Sequence, residues 1–290
     1  MPEGDTIAYA ANRIRPVLVG RVPDEIVAPR EPKWPVRLGG RAVTSVDTHG
    51  KHLFLRFDGE LVLHSHLGMV GSWTVLAHDP RGSAGSPSRL TETGPAPRRP
   101  AGRRAWLVLR AGARWVVEFN GPLLELLTEG RTRFDQRLAA PGPDVLAPEF
   151  DRERFLRGLR GDDPTRGIGD ALLDQRTVAG LGNIWKAEGC WEAGVDPWRP
   201  VRGVSDGEAL AIIDAVRPRM ARSATDGPRA IEPRVYRRAG RPCSRCGTVI
   251  VARAGGSGRS PSRRAKTGPA PRPPAGDANR TTYWCPGCQT

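Results

Sequence analysis

Cysteine is scarce in this chain of 290 residues, and long apolar runs are absent. Five cysteines are too few for the disulfide framework of a small secreted domain. No apolar run approaches the roughly 20 residues that a membrane-spanning helix needs. No signal-peptide pattern opens the sequence. These absences predict a soluble, cytoplasmic protein that has no membrane partner.

Basic residues outnumber acidic residues in this sequence. The chain has 45 Lys and Arg residues against 31 Asp and Glu residues, which gives a formal net charge of +14. Asp277 is the only acidic residue between Arg238 and the end of the sequence, where arginine recurs. Such a charge attracts polyanions, so nucleic acid is the first candidate partner. A genome composition rich in arginine codons would give the same balance, and charge alone identifies no reaction.

Four of the five cysteines form two closely spaced pairs, Cys243 with Cys246 and Cys285 with Cys288. A two-residue spacer lets both sulfurs of a pair face one ion, and two pairs supply the four thiolates of a tetrahedral zinc site. Four protein ligands leave no open position, so we expect one structural Zn²⁺. Disulfide pairing is the alternative. Cys190 lies in an apolar helical stretch and is expected to be buried packing material.

The period of the hydrophobic pattern changes along the chain and predicts an α+β fold. Alternating apolar runs with turn residues between them predict the strands of a β-sandwich at 43–47, 53–57, 61–66, 72–76, 105–110 and 114–119. A helical period follows at 151–159, 168–174, 184–193 and 206–216. Ser205 and Glu208 form a capping box before the last of these helices. An N-terminal helix is also expected.

These patterns divide the chain into a β-sandwich domain at 1–133, a linker at 134–147, a helical domain at 148–237 and a zinc finger at 238–290. The linker is rich in proline and glycine, which interrupt helices and strands. Two segments, 78–104 and 254–277, are rich in Gly, Pro, Ser and Arg and poor in apolar residues. They are predicted to be low-complexity insertions.

The sequence begins Met1-Pro2-Glu3-Gly4-Asp5-Thr6. Removal of Met1 would expose a secondary amine on Pro2, and an α-amino group titrates low enough to be partly neutral and nucleophilic at physiological pH. Such an amine can attack C1′ of a sugar and form an iminium ion, which makes the C2′ proton acidic. Glu3 could carry protons as a general acid and base. The alternative is an ordinary helix start near Ile7, capped by Asp5 or Thr6.

Several motifs occur in a characteristic order. Pro2-Glu3-Gly4 stands at the start of the sequence, and Gly180-Leu-Gly-Asn183 precedes a predicted helix. The four-cysteine finger follows, with Arg280-Thr-Thr-Tyr-Trp-Cys285 in it. Over essentially the whole chain apart from the two insertions, this resembles the formamidopyrimidine-DNA glycosylase and endonuclease VIII family. The resemblance implies base-excision repair: a helix-two-turn-helix, a zinc finger, damaged DNA as the partner, and β,δ-elimination at abasic sites.

The resemblance also implies roles for individual residues. Pro2 would be the nucleophile and Glu3 its acid/base partner. Lys51 would position the lesion strand and assist catalysis. His66 would approach a phosphate, and Met69 would fill the gap left by the flipped base. Without the resemblance, Lys51 would be interpreted as a solvated lysine in a hairpin turn. Met69 could equally well be packed beneath the sheet.

In the helix-two-turn-helix, residues 172–183, the resemblance assigns a phosphate to the amide groups at the start of the second helix and to Asn183. Without it, the Gly-x-Gly element would be only a turn. On the finger, Arg280 would grip the phosphates that flank the lesion, because its planar guanidinium donates two parallel hydrogen bonds.

The motifs favour the endonuclease VIII branch, and therefore oxidised pyrimidines as substrates. The stretch from Glu118 to Pro122 lacks the Asp-Pro-Arg-Arg-Phe element of the branch that removes oxidised purines. Asp5-Thr6 departs from the family's usual Pro-Glu, which puts the tuning of proton transfer in doubt. Removal of oxidised purines and zinc-dependent DNA binding without catalysis stay open as alternatives. We expect a nucleoid-associated monomer without an organic cofactor.

Overall fold

The computed structural model describes residues 2–77, 79, 105–135, 138, 141–254 and 281–290. The chain divides into two compact units. The β unit contains Met1–Pro2 and Ala10–Asp135, and the helical unit contains Glu3–Tyr9 and Gln136–Thr290. Apart from Asp79 and Ala254, the two predicted insertions lie outside the described residues. The boundaries proposed for the linker and the finger stay predictions.

The β unit contains two four-stranded antiparallel sheets. The first sheet has the order β2-β3-β4-β8 and the second the order β1-β6-β7-β5. The strands are β1 Glu25–Val27, β2 Val43–His49, β3 His52–Phe57, β4 Leu61–His66, β5 Ser72–Leu76, β6 Ala105–Ala111, β7 Arg114–Phe119 and β8 Leu123–Thr128. The helices are α1 Gly4–Leu18, whose first residues belong to the helical unit, α2 Trp34–Leu38 and α3 Glu129–Phe134.

Buried polar contacts join the two sheets. Ser65 on β4 donates a hydrogen bond to Glu118 on β7, with 2.6 Å between Oγ and Oε1, and accepts one from Trp73 on β5. Most of the buried strand residues are apolar, and Leu53, Leu63 and many neighbours are fully buried. Two facing antiparallel sheets confirm the predicted β-sandwich of an α+β fold.

Among its described residues, the helical unit has four further α-helices, α4 Arg152–Arg160, α5 Ile168–Leu173, α6 Asn183–Glu192 and α7 Asp206–Asp226, and two short 3-10 helices, Val201–Gly203 and Pro228–Ala230. The predicted capping box is present, because Ser205 and Glu208 exchange hydrogen bonds at the start of α7. The core includes Phe155, Trp185 and Ile212, all nearly inaccessible to solvent. In the part of the chain that the structure describes, no helix has both the length and the apolar character to cross a bilayer.

The C-terminal segment of the helical unit is a small hairpin beside the cysteine pairs. Strands β9 Val251–Ala254 and β10 Thr281–Trp284 pair antiparallel, with Thr281 opposite Ala254 and Trp284 opposite Val251. A cluster of Ala187, Trp191, Val235, Ile250 and Cys285 joins this segment to α6. The hairpin is therefore built directly onto the second helix of the predicted helix-two-turn-helix.

Candidate active site and metal centre

The carboxylate of Glu3 binds the amino end of α6. The backbone amide of Ile184 donates to Oε1 at 2.8 Å, and that of Trp185 donates to Oε2 at 3.3 Å. Glu3 is 1% exposed, and the residue that precedes α6, Gly182, provides no side-chain cap of its own. Two amide donors and the positive end of the helix dipole favour the ionised carboxylate. Glu3 thus caps a helix that is remote from it in the sequence.

Close backbone approach explains the glycines of both motifs. The amide of Gly4 donates to the carbonyl oxygen of Gly180 at 2.9 Å, and a Cβ on Gly4 would lie 2.9 Å from Cα of Gly180. A Cβ on Gly182 would lie 2.3 Å from the carboxyl carbon of Glu3. Larger residues at these positions would push the start of the chain away from α6.

Asp5, where the sequence departs from the family's usual Pro-Glu, has a hydrogen-bond partner in the structure. Asp5 lies inside the first turn of α1 and is 4% exposed, and Ser223 on α7 donates its hydroxyl to the Asp5 carboxylate at 2.5 Å. The helix begins at Gly4, three residues before the start near Ile7 that the alternative of an ordinary helix capped by Asp5 or Thr6 predicts. The buried carboxylate instead ties the beginning of α1 to α7.

The turn between α5 and α6 is held by Gln175. Its side-chain amide donates to the carbonyl oxygens of Leu173 and Leu181, and its side-chain oxygen accepts from the amide of Gly180. Gly180 has φ of +94°, which favours glycine. One side chain therefore stabilises both ends of the helix-two-turn-helix turn.

The structure gives the start of α6 a different partner from the one expected. The resemblance implies a DNA phosphate as the partner of the amides at this helix start, whereas the amides of Ile184 and Trp185 donate to Glu3. Nδ2 of Asn183 donates to the carbonyl oxygen of Thr281 on β10 at 2.9 Å. Its Oδ1 is buried and has no hydrogen-bond partner within the described ranges. Asn183 thus connects α6 to the strand that directly follows Arg280, and Arg280 itself lies outside the described residues.

A second contact joins the same two elements. Nζ of Lys186 donates to Oγ1 of Thr282 at 2.7 Å, and Lys186 is 1% exposed. A buried ammonium is costly unless it is hydrogen-bonded, so this contact favours one position of β10 on α6. The role of Lys186 is not predictable from sequence, because nothing distinguishes a buried lysine from a solvated one in a helical pattern.

The four paired cysteines meet at one point. Their sulfurs all lie within 4.8 Å of one another, with 3.8 Å between Cys243 and Cys288 and 3.5 Å between Cys246 and Cys285. Four sulfurs around a tetrahedral zinc, each about 2.3 Å from the ion, are about 3.8 Å apart. A disulfide bond would require a distance of about 2.05 Å between two sulfurs. The cluster fits a metal ion and not disulfides, and the predicted site is confirmed as a cluster that could hold one.

The surroundings of the cluster support thiolate ligands. The indole N–H of Trp191 and the amide of Arg245 both point at the sulfur of Cys243, at 3.3 and 3.4 Å. Hydrogen bonds to ligand sulfurs are a common feature of metal sites. Cys190 lies apart in the helical core and is fully buried, and burial raises the pKa of its thiol to about 12. Its predicted role as packing material agrees with this position.

In the β unit, Lys51 occupies a two-residue turn between β2 and β3. Gly50 has φ of +55°, as tight hairpin turns require, and His49 faces His52 across the end of the hairpin. His66 ends β4 opposite His52. Burial first and then the charge of Lys51 lower the pKa of His66, and its Nδ1 accepts the amide of Gly68 at 3.2 Å. A neutral His66 therefore carries its proton on Nε2.

Met69 lies in the loop after β4 and is 67% exposed, as is its neighbour Val70 at 69%. This exposure rules out packing of Met69 beneath the sheet. Two adjacent exposed apolar side chains are suited to insertion into a partner, although the insertion itself stays a prediction.

Two buried groups of the β unit are not among the site residues predicted from the sequence. Glu118 is fully buried, and burial raises the pKa of its carboxyl to about 7 despite the hydrogen bond from Ser65. His64 is 1% exposed and lies between His52 and Glu125. A charged residue within the apolar strand 114–119, and histidines at alternate positions of paired strands, were the signals available for these groups.

Comparison with known proteins identifies the family. The model of the formamidopyrimidine-DNA glycosylase N-terminal domain matches residues 1–116, and that of the formamidopyrimidine-DNA glycosylase H2TH domain matches residues 141–232. The probable endonuclease 8 2 of Streptomyces coelicolor is 39% identical over 299 residues, covering 100% of this chain and 94% of that protein. The DNA-(apurinic or apyrimidinic site) lyase Nei2 of Mycolicibacterium smegmatis is 34% identical, covering 100% and 99%.

Solved structures share the fold. The MutM (Fpg) protein from Thermus thermophilus matches with a TM-score of 0.69 and 26% identity over 99% of this chain and 98% of that one. The Lactococcus lactis formamidopyrimidine-DNA glycosylase, bound non-covalently to DNA that contains an AP site, matches with a TM-score of 0.74 and 22% identity over 99% of both chains. The resemblance drawn from the motifs is confirmed: the chain belongs to the formamidopyrimidine-DNA glycosylase and endonuclease VIII family of DNA-repair glycosylases and AP lyases.

Proposed function

We propose that this chain removes oxidised bases from DNA, with oxidised pyrimidines favoured, through a Schiff base on Pro2, and then cleaves the strand by β,δ-elimination. The observation that carries the proposal is the position of Glu3. The residue next to the proposed nucleophile is buried and accepts two amide hydrogen bonds from the start of α6. A carboxylate held in this way is pre-organised for proton transfer beside the amine.

The proposed reaction begins when Met1 is removed and the neutral amine of Pro2 attacks C1′ of the damaged nucleotide. The bond from C1′ to the base breaks, and the base leaves with the electron pair and takes up a proton. The Pro2 nitrogen loses its proton, the bond from C1′ to O4′ breaks with its electron pair going to O4′, and O4′ takes up a proton. The product is an open-chain iminium ion between Pro2 and C1′, which acidifies the C2′ proton. Loss of that proton expels the 3′ phosphate, and a second elimination expels the 5′ phosphate. Glu3 is the group proposed to carry protons in these steps.

DNA contacts are proposed for residues of both units. In the β unit, Lys51 and His66 would contact the lesion strand, and the exposed Met69 would fill the place of the flipped base. In the helical unit, the second N–H of the Asn183 side chain and Arg280 would contact phosphates. The hydrogen bonds from Asn183 and Lys186 to β10 support this assignment, since they fix the strand that begins directly after Arg280.

The metal is proposed to be one zinc ion held by Cys243, Cys246, Cys285 and Cys288. Zinc prefers four thiolates in a tetrahedron, and the sulfur distances fit that geometry. When bound, the ion would fold the finger and take no part in the reaction, because the four cysteines fill its coordination sphere. We further propose that the protein acts on damaged DNA as a nucleoid-associated monomer, without an organic cofactor.

The test is a panel of duplexes that carry thymine glycol, 8-oxoguanine, an abasic site or no lesion. We expect strand cleavage at thymine glycol and at the abasic site, with phosphates on both sides of a one-nucleotide gap. Preferred cleavage at 8-oxoguanine would support the oxidised-purine alternative. Tight binding to all duplexes without cleavage would identify a non-catalytic DNA-binding protein and contradict the proposal.

A further inference from the structure

The exposed Met69 and Val70 lie in a closed turn, residues 67–71, that joins β4 to β5. The amide of Gly71 donates to the carbonyl oxygen of Leu67 at 2.9 Å and so closes the base of the turn. Leu67 is buried, whereas the two apolar side chains at the tip are more than two-thirds exposed, or nearly so, at 69% and 67%. We call residues 67–71 the Met69 loop.

The Met69 loop packs on a second turn, residues 120–122, which joins β7 to β8. A Cβ on Gly71 would lie 2.9 Å from Cα of Gly121, and a Cβ on Gly68 would lie 2.5 Å from Cγ of Pro122. Approaches this close leave no room for a side chain at either glycine, so the two turns lie directly against each other. The position of the Met69 loop therefore depends on the second turn as well as on β4 and β5.

The carboxyl of Glu118 lies where these elements meet. A Cβ on Gly121 would lie 2.2 Å from Oε1 of Glu118, so the carboxyl is in contact with the second turn. Oε1 also accepts the hydroxyl of Ser65 at 2.6 Å, and Oγ of Ser65 accepts the indole N–H of Trp73 at 3.1 Å. Ser65 is two residues before the Met69 loop on β4, and Trp73 is two residues after it on β5. One carboxyl thus connects both strands that flank the loop with the turn on which the loop packs.

The surroundings of Glu118 favour its neutral form. The side chain is fully buried, and its Oε2 has no hydrogen-bond partner among the residues that the structure describes. A buried carboxylate with one unpartnered oxygen is costly. Burial accordingly raises the pKa of Glu118 to about 7, although the hydrogen bond from Ser65 acts in the opposite direction. Because Ser65 donates to Oε1, Oε2 is the oxygen that carries the proton of the neutral acid.

The residues that the structure places against this carboxyl are uncharged. The direct cross-strand neighbours of Glu118 are Trp73 on β5 and Leu107 on β6. Neither the Met69 loop nor the turn at 120–122 contains a charged residue. Ionisation of Glu118 would therefore leave an uncompensated charge between the two sheets.

The titratable groups at this end of the first sheet lie on its other face. His66 follows Ser65 on β4, and successive side chains of a strand point to opposite faces. The His66 ring lies against that of His52, with 4.9 Å between centroids, and His64 lies between His52 and Glu125. The sheet thus separates all of these groups from the buried carboxyl.

We propose that the neutral acid of Glu118 is a positioning residue for the Met69 loop: through Ser65, Trp73 and Gly121 it holds the loop in the place from which Met69 enters damaged DNA, and its ionisation loosens the loop. Glu118 itself is buried and does not touch DNA. The inference rests on the proposed function, because the use of the loop in DNA comes from the role proposed for Met69.

The first test measures the loop in the protein without DNA. The chain has three methionines, and Met220, which is fully buried in the helical core, is an internal control for Met69. In protein labelled with [methyl-¹³C]methionine, we expect the methyl order parameter of wild-type Met69 to fall between pH 6 and pH 8.5, with a midpoint at about 7. In Glu118→Gln, which is neutral at both values, it should stay constant.

Glu118→Gln keeps every other titratable group, including His66, so a difference between the two proteins is due to Glu118. Met220 should show no change in either protein. The same pH dependence of Met69 in wild type and Glu118→Gln, or no pH dependence of Met69 in wild type, would overturn the proposal.

The second test measures lesion discrimination, the ratio of affinities for a duplex with a tetrahydrofuran abasic analogue and for the undamaged duplex. Ser65→Ala removes the link from Glu118 to β4. The matched control is Ser45→Ala on β2, which removes a hydroxyl-to-carboxylate hydrogen bond of the same length, 2.6 Å to Asp47. At pH 6 the ratio should fall about tenfold in Ser65→Ala, the size of one lost hydrogen bond, and stay unchanged in Ser45→Ala. Raising the pH to 8.5 should lower the ratio in wild type but not in Glu118→Gln.

The outcomes separate this inference from the proposed function. If wild type cleaves damaged DNA, but Ser65→Ala keeps the wild-type ratio or Ser45→Ala loses as much, the positioning role is wrong and the proposed function stands. Equal loss of affinity for both duplexes in Ser65→Ala, with a lower melting temperature, would show general destabilisation and also contradict the positioning role. If wild type neither cleaves nor forms a borohydride adduct, the proposed function is wrong, and the role of the loop in DNA is wrong with it.

Discussion

Glu3 combines two roles in one side chain, since it caps α6 and lies next to the proposed nucleophile. As a cap it satisfies two amides that would otherwise lack partners, which is worth about 0.5–2 kcal/mol. As a carboxylate next to Pro2 it is the nearest residue in the chain that can carry a proton. The two roles are separable, because a neutral amide of the same size can fill the space without exchanging protons in the same way.

Glu3→Gln is therefore expected to slow base removal about 10²-fold or more while it lowers the stability by no more than the loss of a helix cap. Single-turnover excision from a thymine glycol duplex and thermal unfolding measure the two effects. Glu153→Gln is the matched control, because Glu153 has 88% of its side chain exposed and pairs only weakly with Arg157 on the surface of α4. Wild-type excision by Glu3→Gln would contradict the acid/base role.

The buried Glu118 predicts a pH-dependent stability. Its folded pKa of about 7 lies above the ordinary value of 4.5, so the folded state binds the proton more tightly than the unfolded state. The favourable contribution is complete below pH 4.5 and is lost as the pH rises through 7, at a cost of roughly 3 kcal/mol. Glu118→Gln should abolish this part of the dependence. Chemical denaturation at pH 5 and pH 8.5 measures it, and equal differences from wild type at both values would contradict it.

At the scale of elements, the α5–α6 turn and the start of α6 bind the first residues of the chain through Gly180, Ile184 and Trp185. Gly182→Ala would place a Cβ 2.3 Å from the Glu3 carboxyl carbon, and the flexible side chain of Glu3 would have to move. We expect excision to fall about as far as in Glu3→Gln, with a stability loss of about 1 kcal/mol. Gly207→Ala in α7 is the control, since its Cβ would meet nothing within 4 Å.

Excision and unfolding assays of the two glycine variants test whether activity needs the contact between Glu3 and the turn. Gly207→Ala should keep full activity and gain a few tenths of a kcal/mol, because alanine favours helix. Equal activity of Gly182→Ala and Gly207→Ala would show that the contact between Glu3 and the turn is not needed.

Elements with a clear hydrophobic period were predictable from sequence. The strands from β2 to β7 and the helices α4, α5 and α6 lie within two residues of their predicted bounds. Strand β1 was missed because three residues show no period, and β8 because the run LLELLT does not alternate. Helix α7 continues to Asp226, beyond the predicted end at 216, since the buried Met220 and Ala224 extend its apolar stripe past Pro218.

At the scale of the whole molecule, the members of the candidate site could be named from motifs, but their contacts could not. Glu3 and Ile184 are 181 positions apart, and no local pattern predicts that one caps the other. The same holds for Asn183 and Thr281, whose hydrogen bond joins the second helix to the finger. The same limit applies to the amides at the start of α6, because the sequence shows a helix start but not the group, here Glu3, that its amides bind.

The four-cysteine cluster leads to a prediction about the zinc content and the stability of the whole chain. Cys246→Ser removes one thiolate and should reduce bound zinc from about one ion per chain to a small fraction, lower the melting temperature and weaken binding to an abasic duplex. Cys190→Ala, at a cysteine outside the cluster, should keep its zinc. Elemental analysis of the purified variants measures the metal. Full zinc content in Cys246→Ser would show that the four sulfurs are not its ligands.

The most direct measurement is the identification of the residue that becomes bonded to DNA. The protein is incubated with an abasic-site duplex and sodium borohydride, which reduces an iminium to a stable amine, and the adduct is digested and sequenced by mass spectrometry. We expect the sugar on the amine of Pro2 in a peptide that lacks Met1. An adduct on Lys51 or on any other residue, or efficient cleavage by protein that retains Met1, would contradict catalysis by the amine of Pro2.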